Sequence, residues 1–343
     1  MKNKLFAAVL AAMLLLSACN GKSQGSVPSD PSKEVTNQVT AGLPAETGLS
    51  NRDILALAAE IEFAPENYTD ILLNIPYMDD GEEYHLIDLY GTQSETSAAP
   101  TVIEVHGGGF IGGTRGNNAD HSIFFAERGY KVVVPDYGKV PGDGDFKDAI
   151  QELFTVFHWV EENSDTYGFD LNNVFLSGDS AGAYYALLCC AILYSPDLQA
   201  YFDVTPPDFQ FNACVTSCPR TELSSIRDGL TSGNSVASQI AKKIGEELLM
   251  DDDLMDHMDL MRNVAPEAFT NLYMMTTPGD TDTGASVLVF DAYLTEHGVE
   301  HTTISYDGVE NKLGHTFNIS YAHYPESKVA NQDMTDYLNA HLR

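Results

Sequence analysis

The sequence predicts an α/β protein in which a mostly parallel sheet is covered on both faces by helices. Strand-like and helix-like segments alternate from about residue 69 onward. The chain has 343 residues, of which 43% are hydrophobic, so it is long and apolar enough to bury a sizeable core. Alternating strands and helices favour a parallel sheet, because each crossover between parallel strands usually carries a helix.

Eight short runs of apolar or alternating residues are predicted to be strands. The first two, at 70–76 and 84–90, form a pair around a turn at 79–81. The other six lie at 101–105, 130–134, 174–177, 211–217, 272–276 and 302–306. Apolar residues at helical spacing predict helices over about 51–66, 117–128, 145–163, 181–194, 285–297 and 325–341.

One stretch, residues 219–264, interrupts this alternation. It is rich in Met, Leu, Asp and Glu, favours helix, and falls between two predicted strands. Its length predicts a small helical lid or cap inserted in the fold rather than a connecting loop. Two ordinary crossover helices are the alternative interpretation. The main domain is therefore predicted to cover residues 51–343, with the cap at 219–264.

The N-terminus has the pattern of a secretory signal rather than of a folded domain. Lys2 and Lys4 precede an apolar run at 5–16, and small residues follow it. Residues 16–19 resemble the lipobox of bacterial lipoproteins, which implies a signal peptide at 1–18 and lipid on Cys19. The protein would then be secreted and anchored to the outer face of a bacterial cell membrane. Residues 19–50, rich in small and polar residues, predict a flexible tether.

The charge balance excludes one class of partner. Eighteen basic residues stand against 50 acidic ones, which gives a formal net charge of −32. No basic stripe exists that could release counterions from a phosphate backbone, so a nucleic-acid partner is not expected. The same charge disfavours polyanionic substrates.

Four cysteines remain besides Cys19. Cys189 and Cys190 fall inside a predicted helix, where small core residues are expected. Cys214 and Cys218 flank a short turn and could form a disulfide in an oxidising compartment. No Cys/His spacing is typical of zinc, so no metal site and no cofactor are predicted.

The strongest chemical signal is a Gly-x-Ser-x-Gly pattern at 178–182, with Ser180 at its centre. It follows a predicted strand and opens a predicted helix. A turn this sharp crowds backbone against backbone, so glycine is needed on both sides of a nucleophile. The helix N-terminus also favours a developing oxyanion beside Ser180. We therefore predict that Ser180 is a catalytic nucleophile.

A glycine-rich loop, His106-Gly107-Gly108-Gly109-Phe110, directly follows the predicted strand at 101–105. Consecutive glycines let backbone N–H groups point inward, as tetrahedral intermediates of acyl transfer require. A flexible turn or a phosphate cradle are the alternatives. The loop lacks the Lys and the Ser or Thr that a phosphate-binding P-loop needs.

Four motifs together resemble the hormone-sensitive-lipase-like branch of the α/β-hydrolases, which includes many bacterial carboxylesterases. They lie at 106–110, 134–137, 178–182 and 314–317, and the resemblance covers roughly 70–343. It implies the α/β-hydrolase fold, an oxyanion hole formed by Gly108, Gly109 and Ala181, and a supporting role for His106. Two departures are the residues at 138–141 and Ala183, where the family commonly has a different sequence and a second glycine.

The base and the acid are expected downstream, because this fold orders its triad as Ser, acid, His. The late histidines are His297, His301, His315, His323 and His341. His315 is predicted to be the base, since it lies in a loop between the last predicted strand and the final helix and is preceded by Gly314. Its loss of a proton should make activity rise through about pH 6–7.

Two carboxylates compete for the third position, Asp280 and Asp282, both after the predicted strand at 272–276. Asp282 is nearer the helix start, and its spacing to the helix's buried face is closer to the family's. It is the first choice and Asp280 the second. A calcium loop formed by the two lacks further oxygen ligands at regular spacing.

The predicted function is a serine carboxylesterase that hydrolyses short-chain acyl esters, with acetyl esters of carbohydrates as one candidate substrate. The mechanism is two-step acyl transfer through Ser180, His315 and the acid, with no cofactor and no metal. The alternatives are a serine peptidase or a lipase of the same fold, or a non-catalytic surface binding protein.

Overall fold

The computed structural model describes residues 45–46, 49–92, 97–233, 235–262, 265–269 and 271–343. The predicted signal peptide and Cys19 lie outside the described residues, as does most of the predicted tether. None of the helices within the described ranges combines the length and the apolar character that crossing a bilayer requires.

A nine-stranded sheet forms the centre of the described residues, in the order β1-β9-β8-β7-β6-β4-β5-β3-β2. Its neighbours pair in parallel except at β2–β3 and β3–β5, which are antiparallel. The predicted mostly parallel sheet is therefore confirmed. The strands are β1 (Ala45–Glu46), β2 (Ile71–Pro76), β3 (Leu86–Tyr90), β4 (Ala99–Val105), β5 (Lys131–Pro135), β6 (Phe169–Asp179), β7 (Phe211–Ser217), β8 (Leu272–Thr276) and β9 (His301–Ser305).

Helices follow most strands. They are α1 (Asn51–Glu60), α2 (Ala119–Ala126), α3 (Phe146–Glu162), α4 (Ser164–Tyr167), α5 (Ser180–Leu193), α6 (Pro196–Phe202), α7 (Ser224–Asp228), α8 (Val236–Ile244), α9 (Glu246–Leu249), α10 (Asp252–His257), α11 (Gly284–Glu296), α12 (Phe317–Ser320) and α13 (Pro325–Ala340). Single 3₁₀ turns lie at Pro65–Asn67, Arg115–Asn118 and Pro266–Phe269.

The sheet separates two apolar cores, as alternation along the strands requires. On β4, Ile103 packs in the core beneath α3 and α5, whereas its neighbour Val102 packs in the core beneath α2 and α13. The helices supply Phe157 and Leu187 to the first core. Both faces are covered, so side chains on both sides of the central strands β4 and β7 are buried over most of their length.

Several features differ from the sequence-based expectations, and two of them are a strand and a helix that the sequence did not predict. Strand β1 lies within the predicted tether and pairs with β9 at the sheet edge. A two-residue strand carries no periodicity, so only its pairing reveals it. Helix α6 was also not predicted; Ser195 caps it by accepting the Leu198 amide, and Pro196 opens it.

The segment between β7 and β8 contains the four short helices α7 to α10, none longer than nine residues. Helix α8 approaches the glycine-rich loop that follows β4. Its Lys243 donates a hydrogen bond from Nζ to the Ile111 carbonyl over 3.0 Å. This predicted cap thus lies beside one of the predicted site motifs.

The suggested disulfide between Cys214 and Cys218 is wrong. Both thiols are free and buried, as are Cys189 and Cys190. Cys214 lies within β7 and Cys218 just past its end, so an extended backbone of roughly 3.3 Å per residue separates their Cα atoms by far more than a disulfide spans.

Candidate active site

Ser180 lies at the junction of β6 and α5, in a backbone conformation that side-chain-bearing residues rarely adopt. Its φ is 51°. A Cβ on Gly178 would lie 2.8 Å from the Gly182 backbone, and a Cβ on Gly182 would lie 2.1 Å from the Val105 carbonyl oxygen. No side chain fits at either glycine, because β4 and the start of α5 pass too close. The turn thereby presents the Ser180 hydroxyl at the carboxyl end of the sheet.

His315 reaches Ser180 from the loop between β9 and α12. Its Nε2 lies 2.8 Å from Ser180 Oγ. The His315 side chain keeps 28% exposure, whereas Ser180 is 9% exposed. At this distance the imidazole can accept the hydroxyl proton of Ser180. The exposed part of the His315 side chain leaves the site open to solvent on one side.

Three of the other four late histidines have hydrogen-bond partners elsewhere. His301 Nε2 lies 3.1 Å from Asp291. His297 and His341 each place Nδ1 within hydrogen-bond distance of a carbonyl four residues earlier on their own helix. His315 alone among these reaches Ser180.

The acid beside His315 is Asp280, so the first choice of Asp282 is wrong for this contact. Asp280 Oδ1 lies 3.1 Å from His315 Nδ1. Asp282 instead accepts a hydrogen bond from the buried Arg220 guanidinium over 2.7 Å. The reason is local backbone geometry: Asp280 ends the turn after β8, where its side chain faces the sheet edge, and two residues later the chain has already turned towards Arg220.

Asp280 is held as a carboxylate. Oδ1 accepts the backbone N–H groups of Asp282 and Thr283, each over 3.0 Å, and the Thr283 hydroxyl lies 2.6 Å from Oδ2. Burial opposes ionisation, but the hydrogen bonds from His315 and Thr283 outweigh it and hold the pKa of Asp280 well below its usual range. The carboxylate can therefore fix the tautomer of His315 with its proton on Nδ1.

The contact between Asp280 and His315 raises the pKa of His315, whereas it lowers that of Asp280. Burial disfavours the imidazolium form of His315, yet the hydrogen bond to Asp280 and the neighbouring Cys218 thiol raise its pKa well above the ordinary value of 6.5. The lowered pKa of Asp280 and the raised pKa of His315 have the same cause, because the carboxylate and the imidazolium stabilise each other. We therefore expect activity to rise at a higher pH than the 6–7 predicted from the sequence.

The glycine-rich loop lies beside Ser180 and offers unpaired amides. Gly108 and Gly109 have φ values of 142° and 61°, which side-chain-bearing residues rarely adopt. Within the described residues, neither amide donates to a protein acceptor. Ala181 contributes a third N–H in the first turn of α5, where helix amides have no partner within the helix. These groups are free to bind an anionic oxygen.

Side chains that the sequence patterns did not reveal hold the glycine-rich loop in place. The Asp179 carboxylate accepts the Gly107 amide over 2.8 Å and the Asn118 side-chain amide over 2.9 Å. Tyr137 donates its hydroxyl to the His106 carbonyl over 2.6 Å, and its ring stacks on the His106 ring at 4.4 Å between centroids. The imidazole of His106 thus supports the loop and faces Asp136, 3.4 Å away.

Three further residues at the site were missed as site residues. Thr283 follows the two candidate acids but has no catalytic residue type, Cys218 is interpreted from the sequence as a possible disulfide partner, and Asp179 is the variable position of the Gly-x-Ser-x-Gly motif. In each case only the contact with Asp280, His315 or Gly107 shows that the residue belongs to the site. Short-range sequence patterns carry no signal for such contacts.

Comparison with known proteins gives a family match over this region. A model of the family described as BD-FAE matches residues 87–277, which include the glycine-rich loop and Ser180. Among solved structures, esterase B of Lactobacillus rhamnosis, with a C4-C4 SN3 tributyrin phosphonate, superimposes with a TM-score of 0.70 at 25% identity. That likeness covers 83% of this chain and 90% of the other.

Curated relatives match over a shorter stretch. An acetyl esterase of Salmonella paratyphi B is 33% identical over 103 residues, 29% of this chain and 30% of that protein. An isoprenylcysteine alpha-carbonyl methylesterase of Arabidopsis thaliana is 32% identical over 107 residues, 31% of this chain and 24% of that protein. The match thus spans about a quarter of the length of such relatives.

Proposed function

The chain belongs to the BD-FAE family, and from this premise we propose that it is a serine carboxylesterase that hydrolyses short-chain acyl esters. One observation carries the proposal: the His315 ring joins Ser180 Oγ, at 2.8 Å, to Asp280 Oδ1, at 3.1 Å, beside the free amides of the glycine-rich loop. Ester hydrolysis needs a nucleophile, a base held in one tautomer and donors for an oxyanion. The likeness to several esterases supports the same reaction class.

The mechanism follows from the placement of these groups. Ser180 attacks the ester carbonyl carbon while His315 Nε2 accepts its proton, and Asp280 stabilises the imidazolium that results. The amides of Gly108, Gly109 and Ala181 bind the oxyanion. The imidazolium then protonates the departing alcohol, and a water molecule, deprotonated by the same nitrogen, releases the acid.

A short acyl group is proposed because helix α8 crowds the glycine-rich loop. A Cβ on Gly109 would lie 2.9 Å from Ile240 Cδ1, so the Ile240 side chain lies directly against the loop. Lys243, one turn further along, is bonded to the Ile111 carbonyl and holds the helix there. We infer that these contacts limit the space for a long acyl chain. An acetyl ester of a carbohydrate is one substrate of this kind, and a similar acetyl esterase supports that choice.

A panel of p-nitrophenyl esters from acetyl to dodecanoyl, extended with acetylated xylan, tests this proposal. We expect the highest kcat/KM with acetyl to butanoyl esters. Ile240→Ala should raise the ratio of octanoyl to acetyl kcat/KM by about 15- to 60-fold, since two or three newly accommodated methylenes are each worth about 0.8 kcal/mol.

Ile244→Ala is the matched control, because Ile244 is also buried on α8 but one turn from the loop contact. It should leave the octanoyl-to-acetyl ratio close to that of the wild type. No turnover of any ester would overturn the hydrolase proposal and favour a binding protein. Equal shifts in the ratio for both variants would overturn the role of Ile240.

The pH dependence gives a second test. Only the neutral ring of His315 can accept the Ser180 proton, so kcat/KM should fall as the pH drops through the pKa of His315. That pKa is raised by Asp280, so we expect the midpoint of the acid limb above pH 6.5. Steady-state kinetics from pH 5 to 9 would measure it; a midpoint below the ordinary histidine value would contradict the geometry.

The proposed localisation rests on sequence alone. The signal pattern at 1–18 and the lipobox-like residues 16–19 support secretion and lipid attachment at Cys19. An esterase anchored on the outer cell face would meet esters outside the membrane. Metabolic labelling with an alkyne-bearing fatty acid, lost on Cys19→Ser, would test the attachment.

A further inference from the structure

Three metal-ligating side chains converge at the nitrogen of His315 that faces away from Ser180. One ligand atom each of Cys218, Asp280 and His315 lies within 4.8 Å of the other two. Cys218 is fully buried, and the side chain of Asp280 has no exposed surface. Acyl transfer uses Asp280 and His315 but has no step for a thiol, so Cys218 is a buried nucleophilic group without an assigned role.

The position of Cys218 is set by the fold rather than by chance packing. Its backbone is left-handed, with a φ of 45°. Its amide donates to the Met275 carbonyl over 2.8 Å, and its carbonyl oxygen lies 2.9 Å from the Thr283 hydroxyl. These bonds tie it to β8 and to the residue that also holds Asp280, so the three ligands are anchored to one another.

The donor set fits a borderline divalent cation. A thiolate, an imidazole nitrogen and a carboxylate oxygen are all zinc ligands, and three protein ligands with a water in the fourth position form a common site. At tetrahedral zinc the ligand atoms stand about 3.5 Å apart, so distances of up to 4.8 Å in the cluster would contract by no more than about 1.3 Å.

We propose that Cys218, Asp280 and His315 form a binding site for Zn²⁺, and that occupation of this site switches the hydrolase off. The proposal that Zn²⁺ binds depends only on these three side chains. The proposal that Zn²⁺ inhibits the enzyme rests on the proposed esterase function. The acidic surface, with a formal net charge of −32, favours the approach of cations.

The inhibition follows from the tautomers of one ring. A neutral imidazole carries a single N–H. When the Nδ1 lone pair binds Zn²⁺, that hydrogen resides on Nε2, and Nε2 then has no lone pair for the Ser180 proton. Asp280 exchanges its hydrogen bond to the ring for a bond to the ion, and the Cys218 thiol releases its proton to solvent as it becomes a thiolate ligand. One proton is released per ion, and no oxidant takes part.

Access to the site passes the His315 ring. That side chain is the only one of the three with exposed surface, at 28%. The ring must move before an ion reaches Cys218, so we expect inhibition to develop over time after mixing. Removal of the ion by a chelator should restore activity on a similar time scale.

The experiment titrates the full-length, metal-free protein with Zn²⁺ by calorimetry and with Cd²⁺ by ultraviolet absorption. We expect one ion per chain, a thiolate-to-Cd²⁺ charge-transfer band, and esterase activity that Zn²⁺ abolishes and EDTA restores. Cys218→Ala should remove the band and weaken Zn²⁺ binding by about 100-fold or more, because it deletes a ligand. Each variant's inhibition is compared with its own metal-free rate.

Two controls separate this proposal from the esterase proposal. Cys190→Ala removes another buried thiol outside the cluster and should keep both the band and the inhibition. Ser180→Ala should keep the band and the affinity although it lacks turnover, so ion binding is tested even if the chain is not an esterase. Cys218→Ser keeps the size of the side chain and replaces Cys218→Ala if that variant fails to fold.

Several results would overturn the site. They are the absence of the band and of a binding isotherm in the wild type, the same band in Cys218→Ala or Cys218→Ser, or equal Zn²⁺ inhibition with and without the thiol. Binding without inhibition in an active enzyme would overturn the switch.

Discussion

Ser180→Ala is expected to lower kcat with p-nitrophenyl acetate by about 10⁶-fold, since removal of a serine nucleophile leaves only binding and oxyanion stabilisation. The residue begins α5 at a φ of 51°, and its hydroxyl is the atom that His315 contacts. Removing that oxygen takes away no packing volume of consequence. Steady-state kinetics together with thermal unfolding would separate lost chemistry from lost stability.

Ser177→Ala is the matched control for this variant. Ser177 lies three residues earlier on β6, is buried, and its hydroxyl has no hydrogen-bond partner among the described residues. It should retain activity close to that of the wild type. A fluorophosphonate probe should label the wild type and Ser177→Ala on Ser180 and should leave Ser180→Ala unlabelled. Substantial turnover by Ser180→Ala would refute the nucleophile.

The second large effect is expected at Asp280. Asp280→Asn keeps the shape of the side chain but offers an amide where His315 Nδ1–H needs an acceptor, so the ring is driven to the wrong tautomer. We expect kcat to fall by about 10⁴-fold. The midpoint of the acid limb should also move to lower pH, because the carboxylate that raises the pKa of His315 is gone.

Asp282→Asn is the contrasting variant, and its effect should fall on stability. Asp282 pairs with Arg220, whose side chain is only 3% exposed. Leaving that guanidinium underpaired should lower the free energy of unfolding by about 1–3 kcal/mol, as for a buried polar group that loses its partner. Activity should fall by no more than about tenfold, or about 1.4 kcal/mol in the barrier. The reverse ranking of the two variants in kcat would reinstate Asp282 as the acid.

The strands and long helices were predictable because each carries its own periodic signal. Strands β7 and β8 begin and end at the predicted residues, and α3 differs by one residue at each end. Strand β1 and helix α6 were not predictable in this way. The first has two residues and exists only through its pairing with β9, and the second is too short for a periodic pattern.

The candidate site divides in the same way. Ser180 and the glycine-rich loop are marked in the sequence by glycines, and the structure shows why: a side chain on Gly182 would meet Val105. The choice between Asp280 and Asp282 carried no such mark. The side chains of Asp280 and Asp282 point to different partners, and the turn that follows β8 sets which side chain points to which partner.

By itself the sequence determined the α/β architecture, the strand-to-helix turn at Ser180 and the loop position of His315, because periodicity, steric crowding and chain order are local properties. Tertiary structure alone decided which carboxylate faces the imidazole, and that Cys218 lies beside both groups rather than in a disulfide. The physical reason is that a hydrogen bond depends on distances of about 3 Å between atoms, and such distances between remote residues arise only when the strands that carry them pack into one sheet.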